Sequence, residues 1–165
     1  MAAGPDPSAL ADLQAASFER ANEATRSSWP PARRMRGEQL DLVLRRRRYA
    51  VAASTRANRR PHATPVAFVW HDGEVWLPAV EGAVRVRNVE ATPWLSVVIT
   101  EGDADDHGVV VLEGPARILP LADAPASLAD SIAAKGGEYP DWASVWLVVT
   151  PSRLLSYAAP DWKAP

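Results

Sequence analysis

The chain has 165 residues, 47% of them hydrophobic and 23% charged, a size and composition suited to one compact globular domain with a real core. It contains no cysteine, which excludes disulfide scaffolds, thiolate metal centres and cysteine nucleophiles and fits a reducing compartment. A formal net charge of -2 and a pI near 5.9 offer no global attraction for nucleic acid or for an anionic membrane.

The opening MAAGPDPSAL has no basic stretch leading into an apolar one, and the longest apolar runs, Val109–Leu112 and Val145–Val149, are strand-length. The expectation is a cytoplasmic protein, neither secreted nor inserted in a membrane. Residues 1 to 8, rich in proline and small side chains, are expected to lack regular structure. From Ser8 to Ser27 apolar and small residues (Leu10, Leu13, Ala16, Phe18, Ala21) recur at helical spacing, and Trp29-Pro30-Pro31 must end that helix. Gly37 to Arg46 predicts a second helix with Leu40, Val43 and Leu44 on one face.

Tyr49 to Ser54 and Pro61 to Trp70 then read as strands around the turn Thr55 to Arg59. Asp72-Gly73 supplies the two positive-φ positions of a tight hairpin in which His71 pairs with Glu74. That register puts Val66, Phe68, Trp70, Val75 and Leu77 on one face and Pro65, Ala67, Val69, Trp76 and Pro78 on the other. Both faces are apolar, which suits a barrel wall with one face in the lumen and the other under a helix or a second subunit. Val84 to Glu90 predicts a short helix closed by Thr92-Pro93. Trp94 to Thr100 and Gly108 to Leu119 predict two strands around the acidic loop Glu101 to His107. A helix from Leu121 to Lys135 stops at Gly136-Gly137, and Trp142 to Thr150 and Ser152 to Tyr157 complete the chain as extended segments. The sum is an α+β, mainly β fold: a split barrel of about six antiparallel strands with peripheral helices. Its divisions are an amino-terminal helical extension (1–36), the barrel domain (37–158) and a short tail (159–165).

The succession Tyr49-Ala-Val-Ala-Ala-Ser, Arg60-Pro-His-Ala-Thr-Pro-Val, the Asp-Gly hairpin, Gly82-Ala-Val-Arg-Val-Arg-Asn88, Thr92-Pro93-Trp-Leu-Ser-Val-Val and Val110-Val-Leu-Glu-Gly114 resembles the flavin-binding split barrels related to pyridoxamine 5'-phosphate oxidase. The resemblance implies a homodimer that holds FMN, or in some relatives the deazaflavin F-420, in a cleft at the subunit interface. It implies cofactor-binding positions at Thr64, Pro65, Val66, Ala79, Val84, Arg85, Arg87 and Asn88. The family's Ser-Arg-Lys at the helix start is Ala83-Val84-Arg85 here, so Arg85 takes the lysine's place. A family threonine is Ala79 and a family arginine is Thr64. The carboxyl-terminal arginine-leucine signature of true pyridoxamine phosphate oxidases is not matched by Pro151 to Tyr157, which argues against vitamin B6 oxidation.

Arg85 and Asn88 stand three apart and share a helix face near the first-turn amides of Gly82, Ala83 and Val84, a reasonable phosphate seat. Arg87, about 200° away around the helix, is expected to contribute much less. The plain alternatives are solvated arginines, an Asn88 that bonds a nearby turn, and Thr64-Pro65-Val66 as simple sheet core. Histidines 62, 71 and 107 show no metal-ligand spacing, Asp105-Asp106-His107 reads as a solvated loop, and no Gly-x-Ser-x-Gly elbow is present. The sequence therefore offers no side-chain catalyst and no metal site. Arg45 to Arg48 is the one local patch suggestive of nucleic acid, but without interleaved aromatics it reads better as helix-end charges; the family resemblance adds an intermediate reading in which one of them reaches the anionic tail of a deazaflavin.

Two functional readings stand at this level. The first is an FMN- or F-420-dependent oxidoreductase acting on a small molecule. The alternative is a non-enzymatic barrel that binds or sequesters a cofactor, haem included, or has lost its ligand. A homodimer is expected, without nucleic-acid or membrane partners, joined through the Trp76 face with Trp94 as the second candidate.

Overall fold

The computed structural model describes residues 6–163. Helix α1 runs Pro7–Glu19, with proline at its first turn and the Asp6 side chain accepting the Ser8 amide at 3.0 Å. The expected irregular segment therefore ends earlier than Ser8, because Asp6 caps a helix there; residues 1–5 lie outside the described residues. The single helix expected over 8–27 is two. Asn22 leaves the helical region and its side chain caps α2 (Glu23–Ser28) by accepting the Thr25 amide. Helix α3 (Gly37–Arg46) has the expected bounds and buries Leu40, Val43 and Leu44.

Eight strands follow in place of about six: β1 (Tyr49–Thr55), β2 (Pro61–Ala67), β3 (Val69–His71), β4 (Glu74–Ala79), β5 (Trp94–Glu101), β6 (Gly108–Pro120), β7 (Val145–Val149) and β8 (Arg153–Ala158). The expected strand from Pro61 to Trp70 divides at Phe68 because its two halves pair differently, β2 with β1 and β3 with β4. Helix α4 (Val84–Ala91) lies between β4 and β5. The expected helix from 121 to 135 is a 3-10 turn at Leu121–Asp123 followed, after Pro125, by α5 (Leu128–Ala134). Residues 142–144 stay outside β7, since its pairing with β4 and β6 starts at Val145.

The sheet order is β2-β1-β5-β6-β7-β4-β3, with β8 also on β6, and every pairing is antiparallel: a curled split barrel. The Asp72-Gly73 hairpin has both residues at positive φ and pairs His71 with Glu74, as its sequence requires. Its two faces enter two cores. Val66, Phe68, Trp70, Val75 and Leu77 join the barrel interior, while Val69 and Trp76 pack with Leu128 and Ile132 of α5 and with Trp146 and Val148 of β7. Trp76 is only 4% exposed. The expectation that the Trp76 face joins two subunits is therefore corrected, because α5 of the same chain covers it.

Strand β6 closes the barrel. Residues 108–115 pair with β5, 108–113 with β8 and 116–120 with β7. The link from β7 to β8 crosses β6 at Gly114, with the Thr150 amide donating to Pro115 O and the Ser152 amide to Glu113 O. A Cβ at Gly114 would meet Thr150 O at 2.1 Å, so only glycine admits the crossing. On the far side α1 covers the outer edge of β8. Ser17 accepts the Leu154 amide, and Gln14, Ser156 and the Met35 backbone form a buried network. No helix among the described residues is long and apolar enough to cross a membrane.

Gly114→Ala should lower the free energy of unfolding by about 1–3 kcal/mol through this overlap, read by urea denaturation. An unchanged midpoint would show that the crossing strand can move away without cost.

Candidate functional site

Strand β4 ends at Ala79, the chain turns at Gly82 with φ +79°, and α4 begins at Val84. A short buried bond fixes the helix against the sheet. Asn88, 5% exposed, donates from Nδ2 to the Ser54 hydroxyl on β1 at 2.8 Å, and Ser54 lies 3.5 Å from His62 Nδ1 on β2. Asn88 is thus engaged by the protein itself.

The first turn of α4 is open. Ala83, its cap residue, has no side chain that can accept a hydrogen bond, and among the described residues the amides of Val84 and Arg85 have no partner. Ala83 itself donates to Val80 O, so of the three amides expected to be free those of Gly82 and Val84 remain among the described residues, joined by Arg85's.

Arg85 is half-buried. Its Nη2 donates to Pro78 O at 3.0 Å, while Nε is buried with no partner. Burial alone pulls its guanidinium below the ordinary arginine value, and no carboxylate offsets the loss of water. A half-buried cation on a helix whose first-turn amides are unpaired has the kind of donors that an anion needs. Ala79 is fully buried beside it.

Arg87 turns the other way. Its Nε donates to Gly82 O at 2.8 Å, and with Val84, Asn88, Arg56 and Asn58 it lines an open cleft of about 340 Å³ between α4 and the β1–β2 turn. The structure therefore brings Val84, Arg87 and Asn88 together and sets Arg85 apart from them, next to β4. Arg56 and Asn58 had no signal in the sequence, since only the β1–β2 register carries their turn over to α4.

Thr64, Pro65 and Val66 lie in the middle of β2. Val66 is in the core, Pro65 is exposed and Thr64 lies between. β2 pairs only with β1, so its second edge keeps unpaired backbone groups. From Pro61 to Ala67 the strand is roughly 20 Å long, enough to flank a flat tricyclic ring with a phosphorylated side chain.

His71 and Lys135 are tied into the fold by hydrogen bonds. His71 is buried and bonds Ser131 Oγ through Nδ1 at 2.8 Å and Ser127 Oγ through Nε2 at 3.2 Å, which ties α5 to the hairpin. Among the described residues no cluster of three His, Asp or Glu side chains could hold a metal ion. In the arginine run Arg45 pairs with Asp41 at 2.7 Å and Arg46 stands 3.9 Å from Glu101. Lys135, past the end of α5, donates to Leu44 O, Arg47 O and, at 3.4 Å, Phe68 O, and sits 3.8 Å from the Phe68 ring centre. Burial first, then repulsion from Arg45 and Arg48, push its amine down to about 7 despite these acceptors.

The curled antiparallel barrel with an open helix terminus at its rim is a split barrel of the cofactor-binding class. The chain belongs to the pyridoxamine 5'-phosphate oxidase family, whose model matches residues 37–158. No curated protein matches the sequence. A conserved hypothetical protein of Mycobacterium tuberculosis superposes with a TM-score of 0.68 at 20% identity, over 81% of this chain and 91% of that one. An F-420 reductase superposes with a TM-score of 0.56 at 20% identity over 68% and 92% of the two chains. The haem storage protein HutZ from Vibrio cholerae gives 0.55 at 16% identity over 76% and 95%.

Because the Lys135 amine titrates lower in the folded chain than its ordinary 10.5, the unfolded chain binds the extra proton between these values. Stability should therefore rise with pH above about 7, and the cost of the buried ammonium should be fully present below it. Urea midpoints at about pH 7 and about pH 9 should show this rise in the native protein and no rise in Lys135→Met. Equal slopes in both would contradict the assignment.

Proposed function

We propose that the chain is an oxidoreductase that binds a flavin-type cofactor, FMN with F-420 as the alternative, and acts on a small molecule. The observation that carries this reading is the uncompensated Arg85 guanidinium beside the uncapped first turn of α4, at the rim of a barrel of this family. A phosphate would be held there by the Val84 and Arg85 amides and by the Arg85 guanidinium, whose donors are not all used within the described residues. The free edge of β2 at Thr64, Pro65 and Val66 holds the ring by backbone groups and an apolar surface. The cleft of Arg56 and Arg87 lies beyond the phosphate, where a cofactor with a longer anionic tail would extend.

When bound, such a cofactor supplies the hydride chemistry in its own ring. The chain's residues position that ring, offer donors toward its negative charge and exclude water. F-420 and haem are named for two of the structural neighbours, so the haem-sequestering alternative keeps a specific basis and is an outcome of the tests.

Homodimerisation is part of the proposal, with a changed face. Val51, 41% exposed, stands beside Val98, and Val98 beside Val111, across the outer side of β1, β5 and β6, with Trp94 47% exposed at one end. That apolar stripe replaces Trp76 as the subunit contact. Val98→Glu should give a folded monomer by sedimentation at micromolar concentration where the unmutated chain is a dimer; a monomeric unmutated chain would refute this contact.

Arg85→Ala should weaken binding of both FMN and F-420 by about ten- to a hundredfold, measured by fluorescence titration. The double variant Arg56→Ala/Arg87→Ala should leave FMN nearly unchanged and weaken F-420 by about tenfold or more if F-420 is the cofactor. Equal small losses everywhere would point to general electrostatics. Failure of the unmutated protein to bind either would remove the oxidoreductase reading.

A further inference from the structure

A second cavity, of about 130 Å³, opens between β2, β4 and α5. Its inner wall is apolar, made by Ala67, Val69, Pro78, Ile132 and Trp146. At its mouth stand Tyr49 and Trp142, 67% and 57% exposed, two of the largest apolar side chains that the chain leaves in water. Nothing in the fold uses these rings.

The charges at the rim are unequal in what they can still bind. Lys135 lines the cavity, but three backbone carbonyls already take its protons. Arg48 makes no ion pair among the described residues. Its guanidinium lies over Gly137, where a Cβ would stand 3.7 Å from Nη2. Glu138 shares the rim, and its charge disfavours a dianion such as a phosphate ester more than a monocarboxylate.

We propose that this cavity is the substrate seat, and that it takes a molecule with one aromatic ring and a single carboxylate, the ring inside between Tyr49 and Trp142 and the carboxylate on Arg48. A closed cavity of about 150 Å³ in another protein holds benzene, and this cavity of about 130 Å³, open at its mouth, is close to that size. Tyr49 and Trp142 supply faces for offset or edge contacts with it, and the planar fork of Arg48 matches a carboxylate. The inference rests on the oxidoreductase reading in one respect: Ala67 directly follows Thr64-Pro65-Val66, and Pro78 directly precedes Ala79 and accepts the Arg85 bond. A ring in this cavity therefore lies next to the strand assigned to the cofactor.

Benzoate and its neutral isostere benzamide test this by calorimetric titration of the full chain, with FMN and F-420 titrations on the same samples. The unmutated protein should prefer benzoate by about tenfold. Arg48→Gln should erase that preference by weakening benzoate alone, and Ala67→Leu, which fills the cavity, should weaken both ligands about tenfold or more. Both variants should keep the melting temperature of the parent, and Arg48→Gln its cofactor affinity as well. Equal binding of benzoate and benzamide, no detectable binding of either, or unaltered binding by Ala67→Leu would overturn the proposal. Retained benzoate preference in a chain that binds neither FMN nor F-420 would instead uphold the site and defeat only the cofactor reading.

Discussion

Strand β6 holds the two halves of the barrel in one structure. Its first residues pair with β5 and β8, its last with β7, and the crossing of Thr150 over Gly114 marks where one partner gives way to the other. Because β7 is fixed on β6, β4 is fixed on β7 through five register pairs from Val75↔Val149 to Ala79↔Val145. β4 in turn delivers Pro78 and Ala79 to the start of α4. Each backbone ladder thus sets the position of the next, and the open helix terminus inherits its place from pairings with β7, about sixty residues later in the chain.

The chemistry at that terminus follows from what has been left unsatisfied. Folded proteins pair almost all of their buried donors, and this chain does so along the β8 edge, where Ser17, Gln14 and Ser156 satisfy backbone groups under α1. At α4 it does not. The helix has no side-chain cap, and Arg85 loses hydration with only Pro78 O in return. Asn88, by contrast, is consumed in holding α4 to β1 through Ser54. The same segment therefore contains one polar group spent on the fold and one left without a partner, which in the proposed function would meet the phosphate of a cofactor.

Much of the fold was legible because it depends on local periodicity. The Asp-Gly turn set the hairpin register, and alternation then sorted Phe68 and Trp70 into one core and Val69 and Trp76 into another. What alternation could not say is which element covers the second face; α5 does so only because Leu128 and Ile132 return from a distant part of the chain. Helix ends were misplaced where a cap or a proline acted locally, at Asn22 and Pro125. Of the site, Val84, Arg87 and Asn88 do meet, but the position of Arg56 beside them, the isolation of Arg85 and the cavity under Tyr49 and Trp142 arise from long-range pairing that no short motif encodes.

The central claim is that Arg85 and the first turn of α4 hold the phosphate of a flavin-type cofactor. The visible absorption spectrum of the purified chain, with the mass of any ligand released on denaturation, tests it most directly. The account predicts a flavin or deazaflavin spectrum, and release of that cofactor, from the unmutated protein and their loss from Arg85→Ala. A haem spectrum, or a chain that carries no chromophore and takes up neither FMN nor F-420 when they are added, would contradict it.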